Sequence, residues 1–296
     1  MSAIWNGYLD LIFEAMSLIY NYVISDWGVS IIVLTIFFRL LVWPLMVKQT
    51  RSMRGMQKLQ PLMKEVQEKY KDDKEKQSQE MMKLYKENNI NPLGGCLPML
   101  LQMPLMIGFF AVIMIPPVNQ EGIIQSTFYG LGRLAHELGY REGVAYADLT
   151  ITKANFLGVL PDITLTPSDA FNVLGTVPSI PYIVLLILSS VAILIPTLLN
   201  QKNMKGPQAN QQRIIGYAMA VFMGIMGWGW FSGGVLLYLT TSSLFAAGQQ
   251  WFVMQQMDKE DAAEEAAAEE AKAKKKKEKK MAKEDANKGN NKKKKK

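Results

Sequence analysis

The 296-residue chain has one cysteine, Cys96, and one histidine, His136. A single cysteine excludes an intrachain disulfide and a structural zinc site built of cysteines. One histidine, placed between apolar runs, leaves no cluster for a metal ion or a histidine-based catalytic centre. No Walker-type phosphate loop is present, so no ATPase is expected. The serines and threonines of the apolar runs lack a neighbouring histidine or carboxylate base, and nothing positions Lys48 to serve one of them. These absences describe a protein that is not an enzyme and carries no cofactor. Residues 1–27 hold no lysine or arginine but include Asp10, Glu14 and Asp26. That is neither a signal-peptide pattern nor an arginine-rich transit peptide, and it points to a bacterial chain.

What the chain has in quantity is apolar sequence. Gly28–Val47, Leu97–Ile115, Ile180–Leu199, Ile214–Phe231 and Val235–Val253 each meet or approach the roughly 20 residues that a spanning helix needs. Pro98 and Pro104 interrupt the second run, and Gly224, Gly227 and Gly229 the fourth. Such residues are tolerated in a bilayer when neighbouring helices satisfy the freed backbone groups. The expected fold is all-α: a polytopic membrane protein with five transmembrane helices and a cytosolic helical hairpin. Small-solute transport would call for internal repeats, and none is visible across the five runs.

Basic residues set the orientation. Lys48–Gly95 carries eleven of them, and Gln201–Arg213 carries Lys202, Lys205 and Arg213 with no acid. By contrast, Pro116–Ser179 has three against six acids. The expected topology puts the N-terminus outside and the C-terminus in the cytosol. Residues 1–26 form an external amphipathic helix in the interface, with Trp5, Leu9, Ile12, Phe13, Met16 and Ile19 at helical spacing. The core covers 27–256, with a hairpin at 48–96, an external loop at 116–179 and a cytosolic loop at 200–213. A charged tail occupies 257–296.

Within the hairpin, Met53, Met56, Leu59, Met63, Val66 and Tyr70 line one helical face, and Met81, Met82 and Tyr85 another. Lys71-Asp72-Asp73-Lys74 reads as the turn between two antiparallel helices. Methionine suits both an irregular seam and a surface that accepts varied apolar partners, so packing and client docking stand side by side. Lys272–Lys296 contains fourteen lysines and is expected to lose helical structure along its length. Basic tails bind polyanions, which leaves ribosomal RNA, anionic lipid and a purely orienting role open.

Arg39 is the singular feature. It lies inside the first run, and a charge at mid-depth costs about 2.5 kcal/mol or more unless it faces protein or water. No run contains Asp or Glu, so its solvation falls to water or to polar groups such as Thr35, Gln102, Ser189, Ser190, Thr240, Thr241, Ser242 and Ser243. A hydrated cavity inside the bilayer follows. The competing reading is snorkelling, since Arg39 is only about a dozen ångströms of helical rise from the cytosolic end.

Several motifs stand out: Thr35-Ile36-Phe37-Phe38-Arg39-Leu40, Tyr85-Lys86-Glu87, and the block Asn91-Pro92-Leu93-Gly94-Gly95-Cys96-Leu97-Pro98 with Gln102 and Pro104. Asn155-Phe156-Leu157-Gly158, Gly234-Val235-Leu236-Leu237-Tyr238-Leu239-Thr240 and Gln249-Gln250 join them. Together they resemble the YidC-type membrane protein insertases, and the resemblance covers roughly residues 5–256. It implies a bacterial plasma-membrane protein that inserts transmembrane segments of nascent or newly made membrane proteins, alone or beside the Sec translocon. It also implies a groove open to the cytosol and to lipid but closed on the outer side, in which Arg39 lies; the polar residues Gln102, Thr35, Ser190, Thr241 and Ser242 are our candidates for the rest of its lining. Clients would dock on the hairpin through Met53, Met56, Met63, Met81 and Met82, and the basic tail would engage ribosomes. The chain departs from the family where Ser232-Gly233-Gly234 replaces a proline, Leu239 a tryptophan, and Ser242 and Ser243 asparagines.

Overall fold

The computed structural model describes residues 2–88, 97–113, 134, 138, 154–201 and 207–293. Apart from one isolated bridge between Phe156 and Leu160, all regular structure among these residues is helical. The helices are α1 (Ser2–Tyr22), α2 (Trp27–Leu41), α3 (Trp43–Lys69), α4 (Lys74–Glu87), α5 (Leu97–Ile113), α6 (Pro167–Leu174), α7 (Thr176–Gln201), α8 (Pro207–Gly229) and α9 (Gly233–Lys293). Two compact units are present, Met1–Gln250 and Trp251–Lys296. The second is helical through Lys293, further than the lysine content led us to expect. Its alanines, glutamates and lysines are strong intrinsic helix formers.

By length and composition alone, one described helix segment, Thr176–Leu199, can cross a membrane. The helices α1 and α2 pass the same test only as a pair bent by 119°, and Met103–Ile113 and Arg213–Gly229 are shorter apolar helices. The apolar run read as the first span is divided at Val42, where α2 ends and α3 begins. Pro44 stands in the first turn of α3, where its missing N–H costs nothing and its fixed φ favours a helix start. The hairpin helix therefore starts five residues earlier than its polar sequence, from Lys48, indicates.

Leu9, Ile12 and Met16 recur at helical spacing and are buried, which turns one face of α1 onto its neighbours. Tyr20 stacks on Trp27 with ring centroids 4.4 Å apart. Further along, the Tyr8 hydroxyl donates to the Pro104 carbonyl of α5 at 2.8 Å. Burial of Tyr8 raises its phenol pKa above the ordinary value of 10.0. A Cβ on Gly108 would overlap Tyr8 and Ile12, so α1 reaches α5 through that glycine.

On the other side, α7 and α8 approach closely through small residues. A Cβ on Gly216 would strike Thr197, and one on Gly227 would strike Leu186. Small residues let apolar helices associate by backbone proximity where lipid removes the usual hydrophobic drive. The outward sides of both helices are apolar and exposed, with Ile187, Val191, Ile214, Val221, Phe222 and Ile225 among them. That is the surface a lipid-facing helix requires. Gly216→Val or Gly227→Val is expected to destabilise the protein by about 1–3 kcal/mol through overpacking. Gly229→Ala, whose Cβ meets nothing within 4 Å, should stay within about 0.5 kcal/mol. Thermal unfolding in detergent compares the three.

Candidate functional site

Arg39 sits two residues before the end of α2, on the side that faces the protein. Its helix neighbours Phe37, Leu40 and Leu41 are exposed, while Ile31, Leu34 and Thr35 are buried, so the helix carries lipid-like and protein-like faces. Arg39 Nε donates to Ser242 Oγ of α9 at 3.0 Å, and Nη2 donates to the same oxygen. Ser242 is buried. Its hydroxyl is also hydrogen-bonded with the Tyr238 hydroxyl, one helical turn earlier on α9. The Tyr238 ring in turn stacks on Phe109 of α5, with centroids 4.6 Å apart and planes 17° from parallel. One guanidinium thus gathers groups from α2, α5 and α9. One turn onward along α9, Phe245 meets Trp43 of α3 edge to face, at 6.1 Å between ring centroids.

The remaining residues expected around the groove divide. Thr35 lies one turn from Arg39 on the same face of α2, buried, with its hydroxyl donated to Ile31 O at 2.7 Å. Thr241 adjoins Ser242 on α9 and is half-buried. Ser190 donates to Leu186 O of its own helix, and its oxygen lies 3.7 Å from the position of a Cβ on Gly224, which places it at the α7–α8 contact. Gln102 lies on α5 with its side chain outside the described residues. The Asn91–Cys96 part of the proline–glycine block and the loop at 116–153 also lie outside them, except Leu134 and Leu138. Tyr238 belongs with Arg39 although it was not among the expected partners. Its signal was available: a tyrosine at i−4 from Ser242 shares a helical face with it.

At the end of these helices away from the hairpin, hydrogen bonds join α2, α7 and α9 to the segment 154–166. Asp26 caps α2, Oδ1 accepting from Val29 N at 2.9 Å, as Asp commonly does at a helix start. Its other oxygen, Oδ2, accepts from Leu157 N at 2.7 Å. Leu157 has φ +49° and Gly158 φ +71°, which turns the chain so that Phe156 and Leu160 pair. For a leucine, the left-handed region costs about 1–2 kcal/mol. The Phe156 ring fills the space over Gly28, where a Cβ would stand 2.7 Å from its Cβ and Cγ.

From there the segment 154–166 reaches the other helices. Ile163 O accepts from Gly234 N at 2.6 Å, and Leu165 O from Gly233 N at 2.8 Å. The Tyr182 hydroxyl of α7 donates to Asp162 O at 2.6 Å and accepts from Asp162 N at 3.0 Å. Thr166 then caps α6 by accepting from Asp169 N at 3.0 Å.

The hairpin follows its sequence closely. Asp73 caps α4 by accepting from Lys76 N at 3.0 Å, so the turn falls where Lys71–Lys74 puts it. Leu59 and Met63 are buried in the seam, and the Tyr85 hydroxyl lies 3.9 Å from Met63 Sδ. Burial raises the Tyr85 phenol above its ordinary pKa of 10.0. Met53, Met56 and Met81 are half-buried, and Met82 is exposed. Met63 therefore packs, whereas Met82 is open to a partner.

A double-mutant cycle of Arg39→Met and Ser242→Ala tests the central contact. The coupling measured by thermal or denaturant unfolding is expected to be about 1.5–3 kcal/mol, the range for a hydrogen bond to a charged group. Additive effects would remove the contact as a source of stability.

Comparison with known proteins bears on what such a site serves. Residues 18–260 match the family described as 60Kd inner membrane protein. A Membrane protein insertase YidC of Streptomyces avermitilis is 34% identical over 217 residues, 72% of this chain and 47% of that relative. Proteins of the same name from Syntrophus aciditrophicus and Syntrophobacter fumaroxidans are 49% identical over 100 residues and 50% identical over 88. These matches cover 34% and 30% of this chain, and 18% and 16% of those relatives. The chain thus matches less than half the length of each of these curated relatives. With its matched region running from within α1 into α9, the chain belongs to the 60Kd inner membrane protein family and is, with it, a multi-pass protein of the bacterial inner membrane rather than an enzyme.

Proposed function

We propose that this chain is a membrane protein insertase and folding chaperone, acting through a groove that opens to the cytosol and to lipid. The observation that carries the reading is Arg39, a charge turned into the protein and held, among the described residues, by a neutral serine rather than by a carboxylate. Full neutralisation by a buried acid would occupy the guanidinium. A single hydroxyl oxygen accepting from Nε and Nη2 leaves net positive charge to attract an acidic or polar stretch of another chain. Thr35, Gln102, Ser190, Thr241 and Ser242 complete the polar lining in this reading.

Five spans are assigned: Gly28–Val47, Leu97–Ile115, Ile180–Leu199, Ile214–Phe231 and Val235–Val253. The excess of basic residues in 48–95 and 201–213 supports an outer N-terminus and a cytosolic C-terminus. Residues 1–26 then form the external helix, 48–96 the cytosolic hairpin, 116–179 the external loop, 200–213 a cytosolic loop and 257–296 the tail.

Moving a hydrophilic client terminus across hydrocarbon is opposed by desolvation of its charges and backbone. A polar groove reaching mid-depth shortens the dry path. Arg39 attracts the acidic outer segment of the client, and the client's apolar helix then partitions sideways into lipid. Burial of about 20 apolar residues supplies the driving force without ATP. The membrane potential pulls negative client residues outward.

Clients are nascent or newly made membrane proteins, first received on Met53, Met56, Met63, Met81 and Met82 of the hairpin, with Met82 the most open of these. The Sec translocon is a working neighbour, and the lysine tail draws the ribosome and anionic lipid. In liposomes holding only the purified protein, insertion of a Sec-independent client with an acidic outer terminus is expected. Arg39→Ala should lower it on the order of tenfold, equivalent to about 1.4 kcal/mol. Equal insertion by folded, correctly oriented wild type and variant would sink the groove role. Deleting Lys272–Lys296 should reduce ribosome co-sedimentation and flatten its salt dependence. Equal binding by the truncated protein would remove the tail from that role.

A further inference from the structure

The two oxygens of Asp26 serve two different tasks. Oδ1 caps α2 through Val29 N, and Oδ2 takes the amide of Leu157 from a segment 131 positions away. The carboxylate is buried, and Ser30 Oγ donates to the Asp26 backbone carbonyl beside it. Through Leu157 it holds the turn that carries Phe156 over Gly28. The same segment, at Ile163 and Leu165, accepts the first two amides of α9, and at Asp162 it engages Tyr182 of α7.

Ile163 of this segment is fully buried, as are Ile31 of α2 and Ile113 of α5. A Cβ on Gly234 would stand 2.8 Å from Ile113 and 3.1 Å from Ile31, so the packing here is tight. Two contacts between this segment and the helices are made by helix-side side chains, Asp26 at α2 and Tyr182 at α7, and at Asp26 a substitution can separate the cap from the link to Leu157. On the Gly233, Gly234 and Ile163 side the hydrogen bonds are backbone to backbone.

We infer that Asp26 is a positioning residue, a latch that keeps segment 154–166 seated as the seal between the outer solvent and the interior that contains Arg39. This rests on the one-sided groove proposed above and assigns the residue that keeps it one-sided. A cap alone would need one oxygen. The second oxygen ties the first span to the outer segment, and a carboxylate offers both without rotating. Releasing it frees the Leu157 amide and lets a left-handed leucine relax, which unseats Phe156 from Gly28.

The test uses the full chain in oriented membranes, with Cys96→Ser as background and Ile31→Cys as reporter. A membrane-impermeant maleimide is added from the outer side and its rate of reaction is measured. Three substitutions separate the two tasks. Asp26→Ser keeps a good helix cap but has no second acceptor for Leu157 N. Asp26→Asn, close to aspartate in shape and so protected against misfolding, has one carbonyl oxygen for two donors. Asp26→Ala loses both. Labelling at Ile31→Cys is expected to be negligible in the parent, at least about tenfold faster with serine or alanine, and at least about threefold faster with asparagine.

Parental rates for both the serine and asparagine variants overturn the latch. An increase confined to alanine also overturns it, since the effect then belongs to capping of α2. Failure of the insertase reading would appear instead as insertion insensitive to Arg39→Ala, a result that leaves these outer-side rates unchanged.

Discussion

A positive charge in a low-dielectric interior is tolerable only where its donors are met, and the organisation of the first unit follows from meeting those of Arg39. The guanidinium is turned onto Ser242, which fixes how α2 faces α9. Ser242 is shared with Tyr238, whose ring lies on Phe109, which brings in α5. Each step gives a polar atom a partner or an apolar ring a face. The lipid-like residues of α2, Phe37, Leu40 and Leu41, are left pointing away. A carboxylate at position 242 would bind more strongly but would consume the charge. The serine holds the arginine in place and leaves its field available.

The two ends of the helices are built by different means. Toward the hairpin, Pro44 and Val42 divide an apolar run, and polar sequence follows within a turn. At the other end, backbone amides of α9 and the amide of Leu157 are all taken up by protein acceptors. Unpaired amides in a dry environment would cost several kcal/mol each, and these described amides avoid that cost. The one-sided groove proposed above would draw on this contrast between an end whose described polar groups are satisfied internally and an end whose sequence is hydrophilic.

Much of this was legible from residue order alone. A mid-run arginine announced itself, the Lys71–Lys74 turn fell where charge interrupts the methionine face, and the helical class followed from apolar runs. Ser242 was among several polar residues that could meet Arg39, but its choice over Ser190 was not readable. Both are span serines, and only packing separates one that faces α2 from one that lies against Gly224 of α8. The break at Val42 was obscured because Pro44 sits inside an apolar stretch where hydropathy shows no change. Asp26 looked like one more acid outside the spans. Its second bond joins residues 131 apart, which no local pattern encodes.

The same separation orders the protein's own assembly in time. Segment 154–166 is tied to Asp26 near the beginning of the chain, to Tyr182 in the middle and to Gly233 and Gly234 much later. Helices form from local bonds, whereas a junction of this kind waits for its most distant member. During synthesis the first part of the fold must therefore exist with this junction incomplete, its Ile163 and Leu165 carbonyls waiting for the amides of α9. A chain that ends before Gly233 would carry all of α2, including its arginine, and still lack the amides that Ile163 and Leu165 accept.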